Sequence, residues 1–478
     1  MVICATVQGH GKRTYEGRMR MIPEKFKEKM KDVLGEEYPE FINALESGSA
    51  VRGMRVNLLK ARPEEIAASG EFRLESLSYA ENGFILREER AMGASPYHHA
   101  GMVYMQDPGA MAALSAIDIE PDWWVLDACS APGGKTTQAA ERLTDGGFIL
   151  SNEYVPKRAK IVVSNLERLG VRNAIVTSLD TYELSRMYTA AFDLVIADAP
   201  CSGEGMFRKS EEAVADWSPE NVVACAERQD EILTNVRRLV KPGGYLLYST
   251  CTYSPEENED VIADFLDRYD DFSLVRVKPE LEAKTRPGMR KYAPRTKNIE
   301  YARRFYPHVS DGEGQFVALM RRSEDIQDKT TIHYKDEAKP LSKQESAIIN
   351  AFIKESLKKA PDGRIVKVGE HIAVIAHDCP IPRMSTFMSG VLMGEIKGST
   401  FFPSHNFFSA YGELFRHREE LTRDDARTER YLAGEEIAAS DGVRGWCAVY
   451  FEGAPLGGGK ASSGRIKNHY PKGLRTRK

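Results

Sequence analysis

The chain has 478 residues, too many for one core, so two to four domains are expected. It is 42% hydrophobic and 28% charged with a formal net charge of −4, an ordinary soluble composition that does not announce a nucleic-acid binder. No apolar run reaches membrane-spanning length, which excludes a helical membrane protein, and the opening segment with Lys12, Arg13, Arg18 and Arg20 lacks the pattern of a secretion signal.

The segment before Met19 and Met21 shows no periodicity, and either methionine is a candidate native start. From about Pro23 to Arg90 the pattern is mixed. Phe26-Lys27-Glu28-Lys29-Met30 begins a helical stretch, while Met54-Arg55-Val56-Asn57-Leu58-Leu59 alternates like a strand. Together they predict a small α+β domain over residues 21–100.

From Trp123 the rhythm becomes regular. Trp123–Ala128 reads as a strand, followed by a Gly-rich turn and a helix to about Leu143. Phe148–Asn152 is the next strand, followed by a helix through Ile161 and Leu169; Ala174–Ser178 is the third and Asp193–Ala197 the fourth. A long helix through Val222 and Leu239 is expected to stop at Lys241-Pro242-Gly243-Gly244, before a fifth strand. Strands separated by helices predict a parallel α/β sheet covered on both faces. Gln315–Met320 adds a late edge strand, completing a unit over 101–322. Residues 323–342 read as a polar linker, 343–388 as a middle domain, and 389–478 as a Gly-rich, aromatic β domain in which Phe401, Phe402, Phe407 and Phe408 are core.

The seven cysteines form no CxxC pair and no metal-ligand spacing with the ten histidines. That pattern predicts neither structural metal nor a disulfide framework and fits a reducing cytoplasm. Cys225 and Cys447 read as small buried hydrophobes. Cys201 and Cys251 differ, because each lies just past a buried strand, in Asp198-Ala199-Pro200-Cys201-Ser202-Gly203 and Ser249-Thr250-Cys251. In an open α/β sheet ligands bind beyond the carboxyl ends of the strands, so both thiols are expected in one crevice. A thiolate there can add to an electron-poor ring, and a second thiol can assist release.

The turn Asp127-Ala128-Cys129-Ser130-Ala131-Pro132-Gly133-Gly134-Lys135-Thr136 ends in a tempting Gly-Lys-Thr. A phosphate loop needs Gly where Cys129 stands, and no GxGxxG is present, so ATP and NAD are disfavoured. A Gly pair at a strand-to-helix turn still admits a ligand close to the backbone and exposes helix-start amides, which fits a carboxylate-bearing cofactor such as S-adenosylmethionine. Glu153 after the second strand is placed for ribose hydroxyls, Asp180 after the third for an adenine amine, and Asp198 closes the fourth. Taken singly each acid reads as a helix cap or solvated turn; together they describe one rim.

Cys129-to-Lys135 (CSAPGGK), Asp198-to-Gly203 (DAPCSG) and Ser249-to-Cys251 (STC) together resemble the RNA 5-cytosine methyltransferases of the Nol/Nop/Sun type, above all the bacterial RsmF-like ribosomal RNA enzymes. The resemblance runs from about Tyr104 to Arg322, and Gly464–Arg475 is similar to that subgroup's PUA-like tail. It implies a Rossmann-like S-adenosylmethionine-dependent methyltransferase sheet flanked by an N-terminal α+β RNA-binding domain and C-terminal α+β and PUA-like β domains. It also implies that Cys129, Ser130, Ala131, Pro132, Gly133, Gly134 and Lys135, with Glu153, Asp180 and Asp198, contact S-adenosylmethionine. Cys251 is then the nucleophile, Cys201 assists release, Asp198 supports the cytosine edge and Lys135 supplies a nearby positive charge.

For RNA, Met206-Phe207-Arg208-Lys209 puts an aromatic and two cations after the Cys201 loop, against the alternative of an ordinary helix-start loop. Lys460, Arg465, Lys467, Lys472 and Arg475 belong to a run from Lys460 to Lys478 with seven cations and no acid, interrupted by Asn468-His469-Tyr470-Pro471. The expected partner is ribosomal RNA or the small ribosomal subunit, with no membrane and no metal. The competing readings are a tRNA or DNA cytosine methyltransferase and an RNA-binding assembly factor with a vestigial fold. The Thr-Cys thiol and the PUA-like tail favour RNA over DNA.

Overall fold

The computed structural model describes residues 22–46, 49–88, 92–144, 146–383 and 385–476. The early cations, Met19, Met21, Cys4 and the final Arg477 and Lys478 lie outside the described residues.

Short apolar segments alternating with helices build the central sheet. β1 (Trp124–Asp127), β2 (Phe148–Asn152), β3 (Ala174–Thr177), β4 (Phe192–Asp198) and β5 (Val240–Thr250) are parallel in the order β5-β4-β1-β2-β3. The chain steps outward through β2 and β3, then returns to lay β4 on the other side of β1. The strand order therefore reverses at β1, which is where open sheets of this kind take ligands. Neighbouring residues point to opposite faces. Leu126, Leu150, Val195 and Leu246 enter one apolar core, while Val125, Ile149, Leu194 and Leu247 enter the other. Helices α1 (Gly134–Ala140), α2 (Pro156–Leu169), α3 (Thr181–Met187), α4 (Pro219–Val236) and α5 (Glu259–Arg268) connect these strands or follow β5.

Two details depart from expectation. The Lys241–Gly244 run does not stop α4, which ends at Val236 in a tight turn over Arg237–Leu239; the run is a bulge inside β5, with the pairing to β4 slipping between Val240 and Tyr245. β6 (Gln315–Arg322) is not an edge strand. It lies antiparallel to β5 and is covered on its far side by Arg303–Phe305 and Phe272–Leu274.

The N-terminal region places two helices, Glu24–Leu34 and Tyr38–Glu46, before a four-stranded sheet of Leu74–Leu77, Ala80–Leu86, Gly53–Val56 and Val103–Met105. That last strand lies beyond the expected division at residue 100. The first strand stops at Val56 rather than Leu59, because the Asn57 side chain turns away to the carbonyls of Gly101 and Leu169. Arg55, fully buried, ties this sheet to α1: it pairs with Glu141 and donates to Thr137 Oγ1 at 2.7 Å and Gln106 Oε1 at 3.0 Å.

After β6 the polar stretch 323–342 is docked rather than free. Thr331–Ile332 pairs with Tyr188–Thr189, and the hydroxyls of Tyr334 and Tyr188 meet at 2.6 Å. A helix, Lys343–Ser356, precedes a sheet of Arg364–Val368, His371–Ile375, Val391–Lys397 and Thr400–Pro403. This sheet runs across the expected boundary at 388/389, because β7 (Thr386–Ser389) leaves it to pair antiparallel with β3. The last sheet contains His417–Leu421, Gly445–Phe451, Ala454–Ser462, Arg465–Asn468 and Ile437–Ala438. Phe401, Phe407 and Phe408 are buried between these two sheets with Phe352, Trp446 and Tyr450, and half-buried Phe402 packs beside them.

Candidate active site

β4 and β5 are neighbours in register, Asp198 opposite Ser249, so the residues that leave their carboxyl ends converge. Cys201 Sγ and Cys251 Sγ stand 3.1 Å apart, both partly exposed, and the Cys251 backbone N–H points to Cys201 Sγ at 3.3 Å. The hydrogen bond with Cys251, with burial adding to it, pushes the Cys201 thiol well above the usual range. Beside them, Asp198 at the end of β4 accepts from buried Lys135 Nζ at 2.8 Å and from Ser249 Oγ at 2.6 Å. Two thiols, a carboxylate and an ammonium group thus gather beyond the carboxyl ends of β4 and β5, next to the reversal at β1.

The turn from β1 into α1 forms the adjoining wall. Gly133 adopts φ 105°, a left-handed conformation that favours glycine, and lets the turn fold back over β2. Thr136 Oγ1 donates to Asp127 Oδ2 at 2.6 Å, while Asp127 Oδ1 and Ser130 Oγ are buried without a partner among the described residues. Burial pushes the Asp127 carboxyl up to about 7, partly offset by the Thr136 hydrogen bond. Glu153 is buried at the end of β2, where it accepts from the backbone of Ala131 at 3.3 Å and Val155 at 3.0 Å, and Arg158 also reaches it. Asp180 caps α3 by accepting from the Glu183 backbone at 2.7 Å, so one of its oxygens does what the ordinary reading of such an acid required. Burial pushes the Cys129 thiol up, keeping it a neutral wall residue. Unpartnered acceptors beside a glycine turn fit a ligand with an amino-acid end, as S-adenosylmethionine has.

Comparison with known proteins agrees. The family described as 16S rRNA methyltransferase RsmB/F matches residues 114–321; the N-terminal domain of 16S rRNA methyltransferase RsmF matches 22–108 and the RsmF PUA domain 418–476. The ribosomal RNA small subunit methyltransferase F of Aliivibrio fischeri strain MJ11 is 31% identical, over 88% of this chain and 91% of its own length. That of Vibrio campbellii is 30% identical over 95% and 97%. The chain belongs to the ribosomal RNA small subunit methyltransferase F family. Among solved structures, a methyltransferase homologue from Pyrococcus horikoshii is 29% identical with a TM-score of 0.54, over 63% of this chain and 96% of that one. NSun6 from the same organism, solved with SFG, shares the fold at 20% identity and a TM-score of 0.56, over 64% of this chain and all (100%) of its own. S-adenosylmethionine is the methyl donor of this methyltransferase F family.

In this family member, several side chains that hold the thiols in place escaped the sequence reading. They lie in Pro255-Glu256-Glu257-Asn258-Glu259, directly after the Cys251 loop. Glu257 Oε2 accepts from the Ser202 backbone at 2.9 Å and Gln229 Nε2 at 2.8 Å, pinning the Cys201 loop. Asn258 Oδ1 accepts from Thr250 Oγ1 at 2.7 Å and its Nδ2 donates to the Thr252 carbonyl at 3.1 Å, pinning the Cys251 loop. Glu259 pairs with buried Arg304, which donates to the Tyr253 carbonyl at 2.9 Å. The available signal was a run of acids too close to a buried strand end to be solvated.

The expected RNA contacts divide. Arg208 is corrected: it is buried against Glu313 at 2.6 Å and the Gly312 carbonyl at 3.0 Å, and Phe207 is buried with Phe26 and Trp217, so neither faces the crevice. Lys209 is paired with Asp107 at 2.5 Å. Lys460, Arg465, Lys467 and Lys472 are exposed. Lys460 sits across from Lys467 on one side and Trp446 on the other, with His469 packed edge-on against that indole at 4.9 Å. Arg475 is half-buried and donates to the Tyr470 carbonyl, and Tyr470, from the segment that interrupts the basic run, is buried against His99 and His405.

Proposed function

We propose that this chain methylates carbon-5 of a cytosine in small-subunit ribosomal RNA in the cytoplasm, with Cys251 capturing the base and Cys201 assisting its release. The 3.1 Å approach of the two sulfurs beside Lys135 and Asp198 is the observation that carries the reading. S-adenosylmethionine, when bound, supplies an electrophilic methyl group; the residues that would hold it are Cys129 to Lys135 with Glu153, Asp180 and Asp198, and Asp127 joins them.

Carbon-5 of cytosine is a weak nucleophile until a thiolate adds at carbon-6 and makes the ring an enamine. Either sulfur can donate across the 3.1 Å contact, and capture is assigned to Cys251, the thiol of the Thr-Cys loop that the family resemblance marks as nucleophile. Asp198, fixed by Lys135 and Ser249, supports the cytosine edge and protonation at ring nitrogen. After methylation the carbon-5 proton leaves to a base, the electron pair re-forms the ring double bond, and the carbon-6–sulfur bond breaks to return the Cys251 thiolate. Cys201 is the neighbouring group placed to assist this last half. Exposed Lys460, Arg465, Lys467 and Lys472 hold the RNA backbone.

The test is trapping on small-subunit ribosomal RNA. Cys201→Ala should accumulate a covalent protein–RNA species and Cys251→Ala should form none. The reverse pattern exchanges the roles, and methylation confined to tRNA replaces the substrate.

A further inference from the structure

Glu204 lies three residues past Cys201 and is fully buried. Its Oε1 accepts from Trp217 Nε1 at 2.9 Å and Ser254 Oγ at 2.5 Å; its Oε2 accepts from Thr252 Oγ1 at 2.8 Å and the Tyr253 backbone N–H at 2.9 Å. Three of these four donors are the residues immediately after Cys251. The same two loops are joined by Ser202 Oγ and Thr252 Oγ1 at 2.9 Å, and by the Gly205 N–H to the Cys251 carbonyl at 2.8 Å. From outside, Lys29 Nζ of the first N-terminal helix donates to Ser254 Oγ at 2.7 Å, and Phe26 of that helix packs edge-on against Trp217 at 5.6 Å.

We propose that Glu204 is a positioning residue whose carboxylate clamps the Cys251 loop to the Cys201 loop and so sets the separation of the two sulfurs for release. The proposal rests on the roles given above to Cys251 and Cys201. A carboxylate is required by the donor pattern. Each oxygen faces one hydroxyl, which can rotate, and one N–H, from an indole or the backbone, which cannot. An amide in either orientation sets an N–H against an N–H, so Glu204→Gln breaks the clamp with almost no change in volume.

The experiment compares Glu204→Gln with the unaltered enzyme, Cys201→Ala and Cys251→Ala in two arms. The first uses phenylarsine oxide, whose arsenic(III) exchanges its oxygen for the sulfurs of two thiols, the two S–H protons leaving with that oxygen as water, and so reads sulfur proximity without RNA. Mass mapping of the Cys201–Cys251 bridge should show capture in the unaltered enzyme, none in either cysteine variant, and roughly tenfold weaker capture in Glu204→Gln. The second arm measures adduct and methylated product on small-subunit ribosomal RNA. The ratio of adduct to product should rise roughly tenfold towards that of Cys201→Ala, with KM for the methyl donor held within about twofold. Unchanged arsenical capture, or lost capture with an unchanged ratio, overturns the proposal, as does an equal fall in adduct and product. Should Glu204→Gln fail to fold, Thr252→Val removes one Glu204 donor together with the Ser202 link, and Ser202→Ala removes that link without the donor; Thr252→Val should shift both measurements in the same direction and further than Ser202→Ala, and no excess over Ser202→Ala overturns the proposal. If Cys201→Ala forms no adduct, the assigned roles fail, while the arsenical arm still decides whether Glu204 sets the thiol pair.

Discussion

A carboxyl group that must lie against a buried backbone reports on pH. Burial, reinforced by the charge of Glu204, pushes Glu257 up to about 7. Its folded value lies above the unfolded one near 4.5, so between these the native state holds a proton that the unfolded state has lost. Its contribution is therefore complete below pH 4.5 and lost as pH rises through 7, by at most about 1.4 kcal/mol per pH unit. Glu257→Gln keeps an oxygen for Ser202 and Gln229, and should remove this slope. Denaturant unfolding at pH 5 and pH 7.5 checks it: the unaltered protein should lose stability relative to the variant at the higher pH. Other residues of the site were readable because they obey local rules. Cys201, Cys251 and Asp198 follow strands whose apolar runs are unmistakable. Arg208 was not readable, because its direction is decided by Glu313, 105 positions along the chain.

At the level of elements, the five parallel strands were legible because burial on both faces makes each a short continuous apolar run. The β5 bulge was not, since Pro-Gly-Gly reads locally as a helix stop; nor was β7, a strand that abandons its sequence neighbours for a distant edge. The Cys201 loop approaches closely enough that only glycine fits at Gly205: a Cβ there lies 2.6 Å from the Gly314 carbonyl oxygen and 2.9 Å from that of Cys251. Gly205→Ala should cost about 1–3 kcal/mol in thermal unfolding and depress turnover with it. At the carboxyl-terminal end of the described chain, replacing Arg465, Lys467 and Lys472 with alanine removes exposed charge and spares Lys460, which lies over the buried Trp446 ring. RNA affinity should fall, the slope of log affinity against log salt should shrink by about 0.7–0.9 for each phosphate no longer neutralised, and the melting temperature should hold. An unchanged salt slope would move the RNA elsewhere.

Across the whole molecule, distant segments meet at buried polar junctions that composition does not reveal. Lys60 donates to the Ala100 carbonyl at 2.9 Å, Ser409 Oγ at 2.8 Å and the Pro455 carbonyl at 2.8 Å, joining three parts of the chain. Burial, with Arg168 and Arg172 nearby, pulls its ammonium down from 10.5 to about 7. Between these values the unfolded state holds the extra proton, so stability should rise with pH, by at most about 1.4 kcal/mol per unit. Lys60→Met should abolish that rise between pH 7 and pH 9, read by denaturant unfolding, at the cost of two unpaired carbonyls.

The two ends of the described chain share one apolar core: Met54, Val56 and Phe84 of the first sheet lie with Leu421, Ile466 and Tyr470 of the last. Shortening the protein from its carboxyl side therefore strips greasy cover from its opening sheet. A truncated form that no longer grips its substrate would be reporting collapse rather than lost recognition, and point changes at the surface are the sounder probe.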